Sequence, residues 1–214
     1  MDPLHDLSRH ATENRDYWNG MAHDWVAAGE RSWRQDEPTW GTWAVPERDV
    51  EMLPVDMRGM RAVELGCGTG YVSAWMARRR DLVRSGRVDP RGVPDPETRG
   101  RLVFLGNRPL AHVCAPLDGS RVTERLERPY FDMRVLDWTT VDVDPGGIEF
   151  CLGHADWYAL FRRVGFVVED YREPRPAEDT ADNPFPVPAA WERRWPSEQV
   201  WKLRKVAADR SATP

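Results

Sequence analysis

The stretch Glu64-Leu65-Gly66-Cys67-Gly68-Thr69-Gly70 has the residue types and the spacing to hold a ligand. Glycine takes positive φ without strain and lets a ligand approach the backbone with no Cβ in the way. An apolar run, Arg61-Ala-Val-Glu-Leu65, precedes the glycines, and a helical run from Tyr71 to Arg80 follows, with Val72, Trp75 and Met76 on one side. Strand, glycine turn and helix in that order open a βαβ unit. The helix would start at the loop and turn its unpaired N–H groups and the positive end of its dipole toward it, which suits a ligand carboxylate. Glu64 would stand at the carboxyl end of the strand, where open α/β sheets place their ligands.

These residues resemble motif I of the class I S-adenosylmethionine (SAM) methyltransferases, an acid followed by Gly-x-Gly-x-Gly after the first strand. The resemblance implies an α/β, Rossmann-like fold, SAM as cofactor, and Glu64, Leu65, Gly66, Cys67, Gly68, Thr69 and Gly70 around the cofactor's methionine part. A nicotinamide-binding domain is a weaker alternative, because in its Gly-x-Gly-x-x-Gly fingerprint the third glycine comes one residue later. Asn14 to Trp25 is similar to the N-terminal helix that many small-molecule methyltransferases fold over SAM, which adds Tyr17 and Trp18 to the implied cofactor residues. Trp40-Gly41-Thr42-Trp43 resembles the approach to motif I in a bacterial subgroup. Arg101 to Asn107 resembles the family's fifth strand, and Trp157 to Val168 the helix and strand that close the sheet. The similarity spans residues 14–80 and 101–205. It implies transfer of a methyl group from SAM to a small-molecule acceptor.

The elements that would position this loop follow from periodicity. Residues 4–29 form one or two amphipathic helices, with Tyr17, Met21, Trp25 and Ala28 at helical spacing. Arg31 to Pro54 is a connector carrying Trp33, Trp40 and Trp43, broken by Pro38, Gly41, Pro46 and Pro54, so it cannot be one helix. Its indoles need burial, so it should wrap over the main domain. Val113 to Leu126 combines loop and short helix. Tyr130 to Trp138 and Ile148 to Leu152 are strands separated by the turn signal Asp142-Val-Asp-Pro-Gly-Gly147. Asp156 to Val164 is a helix with Gly165 as its C′ residue, and His154 or Asp156 is placed to cap its start. Phe166 to Tyr171 and Gln199 to Lys205 are strands, and Trp191 and Trp195 share a short helical turn. The arginine run Arg78-Arg79-Arg80 is a solvated helix end, where cations suit the dipole. One structural domain results: a helical, Trp-rich cap over 1–54, a methyltransferase-like domain over 55–205 and a disordered tail over 206–214.

Length sets a limit on the cofactor site. The family's strands two, three and four with their crossovers need roughly 50 residues, and only residues 81–100 lie between the first helix and strand five. Two registers compete for the single strand that fits. Asp81-Leu-Val-Arg-Ser85 as strand four leaves about five strands in the order 1-4-5-7-6, a sheet trimmed at one edge. Alternatively Arg87-Val-Asp89 is strand two, and the family would then put Asp89 on the cofactor's ribose hydroxyls. The first is favoured, because losing an edge disturbs fewer backbone pairs than losing a central strand. Losing one charge-assisted bond to the ribose weakens binding roughly ten- to a hundredfold. SAM binding is therefore expected to be weak or lost, and the competing function is a catalytically silent methyltransferase-fold remnant or partner-dependent binding module with a defective adenosine pocket.

Composition narrows the partners. Of 214 residues 41% are apolar, which is enough to fold, while a charged fraction of 30% and mean hydropathy of −0.65 make the chain polar. Acidic residues outnumber basic ones 35 to 30, so the electrostatic footprint of a nucleic-acid binder is missing. Three cysteines, Cys67, Cys114 and Cys151, are odd in number and form no C-x-x-C pair, against a disulfide framework or metal site. No run approaches the ~20 apolar residues of a membrane helix, and no apolar leader core follows Met1. A cytoplasmic protein without membrane partner is expected, with a homodimer covering any exposed edge strand. Methyl transfer needs positioning more than acid–base chemistry, so no catalytic residue is assigned. His23, His112, His154, Tyr17 and Asp156 are candidate bases by type alone, more simply explained as structural groups. The tryptophans could cage a cation, although packing explains them more simply.

Overall fold

Every strand pair described in the computed structural model, over residues 8–79, 100–143, 146–183 and 185–206, is antiparallel. The chain is mixed α/β. Its first helices are α1 (Arg9–Met21) and α2 (Val26–Trp33), joined by one 3-10 turn. A hairpin of β1 (Thr39–Trp40) and β2 (Val45–Pro46) leads into a helical turn, α3 (Glu47–Val50), and later into α4 (Tyr71–Arg78). After β3 (Arg101–Asn107) and α5 (Pro109–Cys114) comes a second hairpin, β4 (Val135–Asp137) with β5 (Ile148–Phe150). The chain continues through α6 (His154–Arg163), β6 (Phe166–Arg172), α7 (Ala189–Glu192) and β7 (Glu198–Lys205).

β7 lies between β3 and β6 and runs against both, so β3 and β6 point the same way. Their carboxyl ends, Asn107 and Arg172, meet the amino end of β7, where Asn107 pairs with Glu198 and Arg172 with Val200. Alternation along the strands explains the two-sided burial. Val103, Leu105 and Val200 pack against Trp40, Trp43, Val45 and Met52, and Tyr71 and Val72 of α4 join them. Leu102, Phe104, Trp201 and Leu203 turn the other way onto Trp157 and Phe161 of α6. Val200 and Leu203 are both 0% exposed, because the sheet is covered on each face.

The Trp-rich connector wraps the sheet as its composition suggested. Its organising group is a carboxylate. Glu47 is buried and accepts bonds from Trp40 Nε1 at 2.6 Å, Met52 N at 3.0 Å and Leu53 N at 3.0 Å, and pairs with Arg79 at 3.1 Å. Arg79 also donates to the carbonyls of Leu53 and Pro54 at 2.7 and 2.9 Å. The expectation of a solvated arginine end therefore fails at Arg79, whose guanidinium crosslinks α4 to the connector.

Two further expectations need correction. Arg61–Leu65 joins no strand: Val63 is 57% and Leu65 67% exposed. A strand exists through its neighbours' hydrogen bonds, and among the described residues no strand runs beside this segment and no βαβ unit opens there. The strand candidates at 81–85 and 87–89, including Asp89, lie outside the described residues, as does the tail from 207 on. At α6 neither His154 nor Asp156 caps the helix. Gly153 is the N-cap residue, the Tyr130 hydroxyl accepts the His154 N–H at 3.2 Å, and Asp156 pairs with Arg134 at 2.6 Å. The far end is as expected: Gly165 has φ +78 and donates its N–H to the Arg162 carbonyl.

Candidate functional site

Gly66, Gly68 and Gly70 all take positive φ, at +70, +47 and +72, and nothing lies within 4 Å of where a Cβ would stand on any of them. Gly70 donates its N–H to the Cys67 carbonyl at 2.7 Å, which closes the turn, and serves as N-cap of α4. The loop is thus open above three backbone positions and runs straight into a helix start. Leu65 and Cys67 are exposed beside it. Glu64 does more than flank the loop. Its carboxylate accepts the Ser73 N–H at 2.8 Å and the Ser73 hydroxyl at 2.5 Å, so it caps the first turn of α4 from outside. One N–H group at the positive end of the helix is therefore already served by the chain itself.

Thr69 anchors the loop to the N-terminal helices. A Cβ on Gly29 of α2 would stand 2.9 Å from Thr69 Cβ, Cγ2 and Oγ1, a closer approach than any side chain tolerates. Gly29→Ala should therefore cost about 1–2 kcal/mol net, overpacking outweighing the helix-propensity gain. Urea unfolding checks this, with limited proteolysis at Gly66–Gly70 reporting whether the loop comes away from α2.

Tyr17 and Trp18 belong to a different contact. The Tyr17 hydroxyl accepts the Gly146 N–H at 2.8 Å, while Asn14 on the same helix accepts from Ile148 N at 2.7 Å and donates to Ile148 O at 2.8 Å. Trp18 packs edge-on to Tyr17 with ring centres 5.3 Å apart and approaches Trp25, which stacks on Phe185. Among the described contacts, Tyr17 docks α1 onto the β4–β5 hairpin, Trp18 meets Tyr17 and Trp25, and neither meets the glycine loop.

The polar groups that do converge gather at the carboxyl ends of β3 and β6, the edge where open sheets bind ligands. His154 Nε2 and the Tyr171 hydroxyl are 2.8 Å apart, Tyr171 donates to Glu173 at 3.2 Å, and Arg108 pairs with Glu173 at 2.7 Å. Burial pushes the Tyr171 phenol up to about 12, against the pull of Arg108, and burial with Arg108 holds the His154 imidazole below its ordinary range. A neutral imidazole thus faces a protonated phenol. Next to them, a cavity of about 330 Å³ is lined by Phe104, Asn107, His112, Glu149, Trp157 and Gln199, among others. His112 Nε2 meets Glu149 Oε1 at 2.9 Å. Burial opposes charge on His112, but hydrogen bonding and charge from Cys151 and Glu149 outweigh it and raise its pKa to about 9. Of the other candidate bases, His23 is exposed beside Asp24, and Asp156 is held by Arg134.

Two buried carboxylates complete this edge. Glu198 accepts the Thr42 N–H at 2.8 Å through Oε1, while its Oε2 is buried without a partner. Both oxygens of Glu192 accept the Ser197 N–H. Burial pushes Glu198 up to about 7, with Glu192 adding to it and Thr42 opposing it. A carboxyl that holds its proton more tightly when folded contributes stability below its unfolded pKa and loses it as pH rises through 7. Glu198→Gln should remove that slope and leave the protein about 1–3 kcal/mol more stable than wild type at pH 8, with little difference at pH 4. Parallel urea titrations at the two pH values check it.

Sequence reasoning pointed to His112 and His154 by type only and missed Glu149 and Glu198. Glu149 carries a weak local signal, a carboxylate between Ile148 and Phe150 in a short strand. Among the described residues no helix is long and apolar enough to cross a membrane. No family model, curated protein or solved structure matches the chain.

Proposed function

We propose that the chain is built on the plan of a small-molecule methyltransferase, with the amino-acid end of SAM lying on Gly66–Gly70. The observation that carries it is the run of three left-handed glycines, open on the ligand side and leading directly into α4. The order β3-β7-β6, with β7 reversed, supports it as well, being the 5-7-6 end of the sheet that the resemblance implies. When bound, SAM supplies a methyl group on a sulfonium. The loop's free N–H groups would hold its carboxylate, and the described residues offer no counterpart for the adenosine end. Binding through half a site is weak.

The exposure of Val63 and Leu65 outside the sheet favours a second possibility, a catalytically silent or partner-dependent protein of the same plan. Thermal shift and calorimetric titration with SAM, S-adenosylhomocysteine and NAD separate them. A methyltransferase is stabilised by SAM and loses the shift in Gly68→Ala. The silent form shows no shift with either adenosyl compound, and a shift with NAD alone overturns both.

A further inference from the structure

We propose that the cavity where β3, α5, β5 and α6 meet binds a neutral, flat aromatic compound of one or two rings with an amide-like edge, an N–H beside a C=O. None of the lining residues belongs to the glycine loop, so the site stands apart from any SAM binding. The cavity measures about 330 Å³, against the ~150 Å³ that holds a single benzene ring. Its walls follow the usual plan of small-molecule pockets, mostly apolar with a few placed polar groups. Phe104, Phe150 and Trp157 supply three aromatic side chains. Phe104 and Trp157 lie against each other with ring centres 5.3 Å apart, and Phe150 is met edge-on by His10 at 4.9 Å. Aromatic rings gain from offset and edge contacts with other rings, so this lining favours a flat aromatic guest over an aliphatic one.

The polar groups select against an ion. Among the described lining residues Glu149 is the one carboxylate, and it already has its countercharge in His112, whose Nε2 lies 2.9 Å from Oε1. His112 keeps its proton to about pH 9 and Glu149 is held below the usual carboxylate range, so at neutral pH the two charges cancel. Asn107 and Gln199 carry none. A charged guest would give up its hydration here without an unmatched partner.

A neutral guest meets two groups. Asn107 is exposed and the Glu149 side chain 28% exposed, whereas His112 and Gln199 stand behind them at 6% and 1%. Both bonds that Glu149 accepts, from His112 Nε2 and from the Asn107 amide, fall on Oε1. A carboxylate has about four lone-pair sites, so acceptor capacity remains, and the Asn107 amide has a second N–H to give. An acceptor therefore stands next to a donor, the complement of an N–H beside a C=O. Both are fixed in advance. The Asn107 carbonyl accepts the Gln199 amide at 2.8 Å, and Asn14 of α1 bonds the N–H and the C=O of Ile148, next to Glu149, at 2.7 and 2.8 Å. A site already in shape loses little freedom when its guest arrives.

The test is calorimetric titration of the full chain with 2-quinolinone, a two-ring aryl lactam, and with coumarin. Coumarin has the same shape and carbonyl but an ring oxygen in place of the N–H. The side-chain amide NMR signals of Asn107 and Gln199 report where each compound sits. 2-Quinolinone should bind with Kd below ~1 mM and move both signals. Coumarin should bind at least ~10-fold more weakly, the loss of a hydrogen bond to a charged group. Glu149→Gln should shrink that ratio, and Phe150→Ala, at an exposed position, should weaken both compounds alike. Equal affinity for the two compounds overturns the proposal, as does binding that leaves the Asn107 signal unmoved, or no binding of 2-quinolinone at all. The wild-type comparison decides the matter even where a variant fails to fold.

Discussion

Alanine at position 41 should destabilise the protein by about 3–5 kcal/mol, against about 1–2 kcal/mol for alanine at position 66. The two glycines have nearly the same backbone, φ +69 and +70, so the strain of placing an L side chain there is the same. They differ in what the new methyl meets. At Gly66 it meets nothing within 4 Å, whereas at Gly41 it would stand 2.3 Å from Glu198 Oε2 and 2.6 Å from Oε1. That carboxyl is not free to swing away. It is 4% exposed and accepts the Thr42 N–H, so displacing it breaks that bond and forces a buried polar group to repack. Subtracting the Gly66→Ala loss from the Gly41→Ala loss, both from urea denaturation, isolates the contact between hairpin and strand. Equal losses at the two positions would show that the Trp-rich hairpin does not seat on β7.

The second large effect is pH-dependent. His112 is raised from the ordinary 6.5 to about 9, so its contribution to stability is complete below pH 6.5 and disappears as pH rises through 9. Its size is on the order of 3 kcal/mol. Glu149 runs the opposite way. Burial works against its charge, but hydrogen bonds from His112 and Asn107 hold it below the usual carboxylate range, so its share is present above about 4.5 and lost in acid. The pair therefore stabilises the protein over a window from mildly acid to pH 9. Because Cys151 shares in raising His112, Glu149→Gln should cost only part of this, about 1–2 kcal/mol at pH 7, and less at pH 10. The loss is capped because an imidazole, unlike a guanidinium, can shed its proton when its partner goes. Urea midpoints at pH 7 and pH 10, with the His112 ring proton titrated by NMR, provide the readout. A Glu149→Gln deficit as large at pH 10 as at pH 7 would mean that packing, not charge, binds the pair.

The C-terminal half was largely legible in the sequence, for local reasons. Phe161 and Trp157 recur at helical spacing before Gly165, whose φ of +78 ends α6 where a C′ glycine should. The strands β6 and β7 follow from apolar runs with clear ends. The helix after the glycine loop, α4, was equally legible. The same reasoning failed at Arg61–Leu65, an apolar run of the same quality. Local pattern shows what a segment could bury, but pairing depends on a neighbour contributed from elsewhere in the chain. The helix that carries Tyr17 and Trp18 was expected and found, but the hairpin that Tyr17 docks against was not encoded nearby.

The sequence by itself determined α1, α2, α4, α6 and α7, the three sheet strands and the open glycine loop, but not α3 or α5, because propensity, caps and positive-φ positions act over a few residues. Only the tertiary structure decided which groups meet. His112 and Glu149 are separated by 37 residues, and Thr42 and Glu198 by 156. Neither meeting leaves a trace in local spacing. Each joins elements far apart in the chain, α5 to β5 in the first case and the β1–β2 hairpin to β7 in the second, so only the packing of those elements against one another brings the groups together.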